Sequence, residues 1–135
     1  MTHDFELDPR LAADTVAVAD WPLSRLLLMN DARFPWLVLV PRRAGLSELH
    51  GLSAEDRPVL FAEVLKAGAG LKAATGAAKI NTGALGNLVP QLHIHVVARN
   101  PGDTAWPGPV WGQGAAKPYG AAALEALLNT LRAAL

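Results

Sequence analysis

The sequence predicts an α+β domain with a mostly antiparallel sheet of about five strands, one central helix and a C-terminal helix. Short segments rich in Val, Ile and Leu, separated by turn residues, predict the strands. Longer Ala- and Leu-rich stretches over 56–75 and 119–135 predict the helices. With 135 residues, 51% hydrophobic and 18% charged, the chain fits a single globular domain over 1–135.

The charge balance argues against large anionic partners. Twelve basic and twelve acidic side chains cancel, so we expect no binding to nucleic acid polymers or to membrane surfaces. No apolar run reaches the length of a membrane span, and the polar, acidic N-terminus does not resemble a signal peptide. The absence of cysteine suits a reducing compartment, and we expect a cytoplasmic protein.

The first half of the chain is predicted to supply three strands. A short helix near 7–11 leads into an edge strand at 15–18. Residues 25–29 and 36–40 are nearly all apolar, which predicts two strands buried on both faces, with a turn over 30–34 between them.

The central helix is predicted to begin with Asp56 as its N-cap, with Ser53 as the alternative, and to end at Gly76. Gly68 and Gly70 weaken it but permit close approach to the sheet. Its apolar stripe is predicted to comprise Leu60, Phe61, Val64, Leu65, Gly68 and Leu71.

A strand over Val89–Arg99, after another that begins at 79–81, is the most informative stretch. Alternation places Gln91, His93 and His95 on one face of the sheet. On the other face lie Leu92, Ile94 and Val96, where a helix can cover them.

Three uses are open for two imidazoles on one strand face. They could ligate a metal, but a zinc site needs three or four ligands, the chain has no cysteine, and only His3 and His50 remain as further imidazoles. One could attack an electrophile such as phosphorus while the other donates a proton or binds charge. They could also be two exposed histidines without a chemical role. We expect His50 to be a solvated loop residue.

Gly83 and Gly86 mark the turn before the histidine strand. Glycines let backbone amides approach an anion closely, although an ordinary hairpin loop uses them too. No Gly-Lys-Ser/Thr and no helix follow, which excludes a Walker loop and a dinucleotide fingerprint.

The stretch Asn81–His95 resembles the signature of the histidine triad (HIT) superfamily, an Asn-x-Gly segment, a Gly-plus-amide turn and a strand with alternating histidines. Leu26–Asp31 with Leu37–Arg43 resembles the paired strands before the family's central helix. Trp106–Gly112 resembles the Trp- and Pro-rich C-terminal segment of some members, so the resemblance covers roughly 20–112.

The resemblance implies a HIT-like fold and a nucleotide-binding hydrolase or transferase. Its substrate would be a nucleoside phosphate ester, anhydride such as a dinucleoside polyphosphate, or phosphoramidate. His93 would be the nucleophile that forms a nucleotidyl-histidine, and His95 would bind the α-phosphate and assist the leaving group. No cofactor and no metal are implied, and family members commonly form homodimers with their sheets joined edge to edge.

The resemblance also assigns the binding residues. Backbone amides around Gly86, Asn87 and Leu88 would hold phosphate oxygens, with Asn81 in the same signature. One of Asn30 and Asp31 would hold the ribose; without the resemblance, both are turn residues that bond their own backbone.

The chain departs from the family pattern at three places. Gln91 replaces the first histidine, Arg43-Ala44 stands where another histidine is common, and Leu88 replaces a hydroxyl residue that touches phosphate. The alternative function is therefore a catalytically weak or inactive nucleotide sensor, and a weaker alternative is a metalloprotein using His93 and His95.

The C-terminal arm and helix are assigned to 104–135. Residues 104–118 are rich in Pro, Gly and Trp and predict an ordered lid or a partner-contact arm, since Trp106, Val110 and Trp111 favour burial. The final helix is predicted to turn Leu124, Leu127, Leu128 and Leu131 inward.

Overall fold

The computed structural model describes residues 5–135 and shows the α+β architecture that the sequence predicts. His3 lies outside the described residues. The elements follow in the order α1 (Pro9–Asp14), β1 (Thr15–Asp20), β2 (Ser24–Met29), β3 (Trp36–Pro41), a 3-10 turn (Leu49–Gly51), α2 (Asp56–Thr75), β4 (Lys79–Gly83), β5 (Ile94–Arg99) and α3 (Ala121–Ala134).

The five strands form one antiparallel sheet in the order β1-β2-β3-β5-β4. β5 therefore lies between β3 and β4. Its residue His95 is opposite Val38 on one side and Gly83 on the other, and Val97 is opposite Trp36. Side chains of opposed residues share a face, so this register brings β3, β4 and β5 residues together around His95.

Apolar side chains cover both faces of the sheet, as the apolar strands β2 and β3 predict. On one face, α2 and α3 pack over Leu26, Leu28, Leu37, Leu39, Ile94 and Val96. On the other, the N-terminal segment and the C-terminal arm cover Leu27, Trp36, Val38, Val40 and Val97. The histidine face is the second of these.

The histidine strand is shorter than predicted, because β5 begins at Ile94 and not at Val89. β4 ends at Gly83, opposite His95, and the pairing with β3 ends at Leu39, opposite Ile94, so the ladder stops there. Pro90 has no N–H to donate, and the Leu92 N–H instead donates to Leu46 O at 2.9 Å. Residues 89–93 are thus a lead-in segment outside the ladder.

The predicted N-cap of α2 was wrong. Asp56 is the first helical residue, and Glu55 occupies the cap position without a side-chain hydrogen bond. The Oγ of Ser53 accepts from the Asp56 N–H at 3.2 Å, so Ser53 supplies the capping contact. Gly76 ends the helix in the left-handed conformation (φ +66°), as predicted.

The predicted apolar stripe of α2 is only partly buried. Leu60 and Leu71 pack inward, whereas Phe61 and Leu65 are 66% and 58% exposed. Gly70 faces α3 and not the sheet, since a Cβ there would meet Leu135 and lie 3.2 Å from Ala134 O. The close approach made possible by glycine is therefore between two helices.

The C-terminal arm is ordered against the histidine face. Val110 is buried and Trp111 is half-buried there, while Trp106 stays 39% exposed. In α3, Leu131 is fully buried and Leu124, Leu127 and Leu128 pack partly against the core. Across residues 5–135, the helices are all too short or too polar to cross a membrane.

Candidate functional site

The two imidazoles lie side by side where β5 begins. His93 immediately precedes the strand and His95 is its second residue, and each is only 6% exposed. Their rings meet edge to face with centroids 4.8 Å apart. The alternation inferred from sequence holds through the lead-in, so both rings lie on the face opposite the helices.

The main chain fixes the proton on His93. Its Nδ1 lies 2.7 Å from the carbonyl oxygen of Gln91. A carbonyl oxygen can only accept, so Nδ1 carries a hydrogen and, in the neutral ring, Nε2 carries the lone pair. This is the arrangement that an imidazole nucleophile requires.

A buried indole fixes the proton on His95 in the opposite way. Nε1 of Trp36 donates to Nδ1 of His95 at 3.0 Å. Neutral His95 therefore carries its hydrogen on Nε2. Burial, followed by the electrostatic effect of the neighbouring His93, lowers the pKa of His95 to about 4. At neutral pH the ring is an uncharged hydrogen-bond donor.

A second tryptophan packs against His95. The ring of Trp111 lies 5.3 Å from that of His95, edge to face. It lies over Gly83 on β4, where a Cβ would come within 3.3 Å of the indole. The Trp111 Nε1 is buried and has no hydrogen-bond partner within residues 5–135. Trp36 and Trp111 thus enclose His95 from two sides.

A cavity of about 250 Å³ opens beside His93. Its walls are the loop 47–50 and the turn 84–86, and His93 and Leu92 close it. Gly86 has φ +74°, a conformation that favours glycine. His50, expected to be solvated, is exposed but lines this cavity.

Gln91 is tied to the N-terminal segment. Its side-chain oxygen accepts from the Asp8 N–H and its nitrogen donates to Glu6 O, each at 2.8 Å. Asn87 and Leu88 are exposed in the turn, Leu88 by 86%.

The side chains of the other predicted binding residues are hydrogen-bonded to other groups of the protein. Asn81 Oδ1 accepts from Arg99 Nη1 at 2.9 Å on the histidine face. Asn30 Oδ1 accepts from the Tyr119 N–H at 2.9 Å. Asp31 is 1% exposed and binds the Arg33 guanidinium at 2.8 Å. Burial favours its neutral form, yet hydrogen bonds from Arg33 leave the pKa of this carboxyl below its usual value.

No group of three or more His, Cys, Asp or Glu side chains suited to a metal ion occurs within residues 5–135. His93 and His95 hold their Nδ1 atoms in hydrogen bonds to Gln91 O and Trp36 Nε1, so metal binding through those atoms would break both contacts.

Two residues around the histidines were not predicted to take part in the site. Trp36 was assigned only to a buried strand and Trp111 only to the arm. For Trp36 the alternation of β3 was a signal, because it places Trp36, Val38 and Val40 on one face. The β3–β5 register that brings Trp36 to His95 had no signal in the sequence.

Comparisons with known proteins point to one family. The HIT domain profile matches residues 10–102. Among solved structures, a histidine triad protein from Sinorhizobium meliloti 1021 is 47% identical over 98% of both chains, with a TM-score of 0.96. One from Bradyrhizobium japonicum is 42% identical over 96% of both chains (TM-score 0.93). A third, from Marinobacter aquaeolei VT8, is 42% identical over 97% of this chain and 96% of its own (TM-score 0.95).

None of the curated proteins matches the chain. The profile covers more than half of the residues, and the three solved structures align over nearly the whole chain. The chain therefore belongs to the histidine triad (HIT) family.

Proposed function

We propose that this protein is a nucleotide-binding hydrolase or transferase that acts on a nucleoside phosphate ester, anhydride or phosphoramidate. The single observation that carries the proposal is the 2.7 Å contact between His93 Nδ1 and Gln91 O. In the neutral ring this contact places the hydrogen on Nδ1, so Nε2 carries the lone pair that a nucleophile requires.

In the proposed first step, the His93 Nε2 lone pair attacks the α-phosphorus. An N–P bond forms and the P–O or P–N bond to the leaving group breaks. The leaving group takes its proton from water, while the Nε2–H of the neutral His95 ring donates a hydrogen bond to the leaving atom. In the second step a water oxygen bonds to phosphorus as the N–P bond breaks, and the proton that this water loses passes to solvent. The nucleotide leaves and the Nε2 lone pair of His93 is restored.

The turn around Gly86 and Asn87 would supply backbone amides to phosphate oxygens, and its position beside the cavity at His93 supports this. Asn30 or Asp31 would hold the ribose. The Asp31 carboxylate already accepts from the Arg33 guanidinium. The amide oxygen of Asn30 accepts from the Tyr119 N–H, but its amide nitrogen still has two N–H groups to donate. We favour Asn30. No cofactor and no metal enter the scheme, and a cytoplasmic location belongs to the same proposal.

A second candidate is a nucleotide sensor with little or no turnover. The observation that favours it is the His95 environment. With a pKa of about 4, the protonated ring is scarcely populated at neutral pH, so His95 can donate a hydrogen bond but not a full proton to a leaving group.

Turnover of adenosine 5′-phosphoramidate and of a dinucleoside polyphosphate separates the two candidates. We expect wild type to release AMP and, on rapid acid-free quenching, to carry a nucleotidyl group on His93 detectable by mass. His93→Gly should abolish both, and added imidazole should restore hydrolysis because it replaces the missing ring. Turnover that survives in His93→Gly without imidazole would contradict the mechanism. Nucleotide binding with no turnover in wild type would establish the sensor.

We also propose a homodimer. The C-terminal arm does not support it, since Val110 and Trp111 pack on their own sheet. The support is a different surface. β4 is an edge strand, and the exposed Phe61 of α2 lines an apolar cavity together with Thr82 and Gly83 of β4. Leu65, also exposed, lies one helical turn beyond Phe61. We expect a dimer mass by light scattering at micromolar concentration, and a monomer for Phe61→Asp. Leu88→Asp, at an exposed leucine outside this surface, is the matched control and should remain dimeric. A monomeric wild type contradicts the proposal.

A further inference from the structure

An exposed arginine contacts the turn that we assign to phosphate binding. Arg10 Nη1 donates to Leu88 O at 2.9 Å, although the two residues are 78 positions apart in sequence. Its Nε and Nη2 bond the Asp8 carboxylate at 3.1 and 3.0 Å. These contacts use three of the five guanidinium N–H groups, so two remain for a ligand.

The residue that replaces the first histidine of the triad holds this arginine in place. The Gln91 amide accepts from the Asp8 N–H and donates to Glu6 O, so it binds two main-chain groups of one segment. A carboxamide presents its acceptor and donor side by side, whereas an imidazole presents them on different edges of a ring. Glutamine therefore suits this clamp better than histidine.

Asp8 sets the orientation of Arg10. Its carboxylate also accepts from the Arg10 N–H at 2.8 Å and caps α1. The side-chain hydrogen bond from Arg10 lowers the pKa of the Asp8 carboxyl, so the pair stays ionised at neutral pH. Because the two charges balance, Arg10 acts on a ligand through directed hydrogen bonds more than through net charge.

We propose that Gln91 clamps the segment Glu6–Arg10 onto the phosphate turn and that Arg10 contacts a phosphate oxygen of the substrate. The proposal rests on the proposed function of the turn at Gly86. It makes Arg10 a binding residue and Gln91 a positioning residue. A substrate with two phosphates is then expected to bind Arg10 more strongly than a substrate with one phosphate.

Calorimetric titration with inorganic pyrophosphate, AMP and ADP tests the contact without depending on turnover. Arg10→Ala should weaken pyrophosphate and ADP binding roughly 10-fold and AMP binding less, since one charge-assisted hydrogen-bond partner is lost. Arg10→Lys should restore part of the loss. The matched control is Arg132→Ala, an exposed arginine that donates to the Val18 and Ala17 carbonyls at 3.1 Å in β1. It should bind all three probes like wild type.

The clamp is tested by combining variants. Gln91→Ala should raise KM for a substrate with two or more phosphates while kcat stays near wild type. The double variant Arg10→Ala/Gln91→Ala should raise KM no further than the more affected of the two single variants, because Gln91 acts through Arg10. Losses that multiply would overturn the clamp.

The outcomes distinguish this proposal from the proposed function. If nucleotides are hydrolysed and Arg10→Ala has the wild-type KM and pyrophosphate affinity, the arginine contact is wrong and the enzyme stands. If pyrophosphate binding depends on Arg10 and no nucleotide is hydrolysed, the contact stands and the enzyme is wrong. If wild type binds neither pyrophosphate nor ADP, both proposals fail.

Discussion

At His95, one hydrogen bond decides which ring nitrogen carries the proton. The Trp36 indole N–H points at Nδ1, and protonating Nδ1 would place two donors against each other. The bond therefore favours the neutral ring with its hydrogen on Nε2. Trp111 contacts the same imidazole by its ring alone, since its Nε1 has no partner in the described part of the chain.

Trp36→Phe should raise the pKa of His95 and mix its two neutral tautomers, because the donor at Nδ1 is gone. Nitrogen chemical shifts of the imidazole across a pH titration measure both effects. Trp111→Phe keeps an aromatic contact and removes no hydrogen bond, so it is the control and should leave the tautomer unchanged. The same nitrogen chemical shifts and pKa in Trp36→Phe and wild type would show that burial alone sets the protonation of His95.

The individual residues also show where sequence reasoning ends. Alternation was enough to pair His93 with His95, because that needs only local geometry. It said nothing of the Trp36 partner, which lies 59 positions away. For Gln91 the sequence showed a missing histidine, but its contacts with Glu6 and Asp8 depend on where the N-terminal segment folds back.

Among the helices, two glycines of α2 that are alike in sequence have different surroundings. A Cβ on Gly68 would lie 3.7 Å from Ile80, an ordinary contact. A Cβ on Gly70 would meet the Leu135 side chain and lie 3.2 Å from Ala134 O. Only the second glycine is needed for packing.

Gly68→Ala should stabilise the protein by about 0.5–1 kcal/mol, since alanine loses less backbone entropy in a helix. Gly70→Ala should give a net loss of roughly 1 kcal/mol, because overpacking against α3 exceeds that gain. Urea unfolding of the two variants measures the difference. Leu135→Ala in the Gly70→Ala background should recover part of the loss, and failure to do so would show that the main-chain contact with Ala134 dominates.

The predicted types of the helices and strands were confirmed, but some of their predicted ends were wrong. Apolar runs identified β2 and β3, and positive φ at Gly76 ended α2 as expected. The start of β5 could not be predicted, because it is set by where pairing with the two neighbouring strands stops, opposite Leu39 of β3 and Gly83 of β4. Alternation continues beyond the ladder through Leu92 and His93, so the pattern overstated the strand.

For the whole molecule, the buried imidazole links folding to pH. His95 has its pKa lowered from 6.5 to about 4, chiefly by burial. Between these values the unfolded chain binds more protons than the folded one, so stability falls as pH falls. The neutral ring's contribution is complete above pH 6.5 and is lost progressively toward pH 4.

We expect the free energy of unfolding to drop by roughly 2 kcal/mol between pH 7 and pH 5 from His95 alone. Denaturant unfolding at a series of pH values measures it. His95→Gln, whose side-chain oxygen can still accept from Trp36, should show a flatter pH dependence. The same slope in His95→Gln and wild type would assign the effect to carboxyl groups instead.

The sheet order has a consequence for synthesis of the chain. β3 pairs with β5, and all of α2 and β4 lie between them in sequence. Trp36 is synthesised 59 residues before His95, so the hydrogen bond from its indole to the imidazole cannot form until β5 has left the ribosome. A nascent chain that has not yet exposed β5 holds no site, so ligand binding reports that nearly the whole domain has closed.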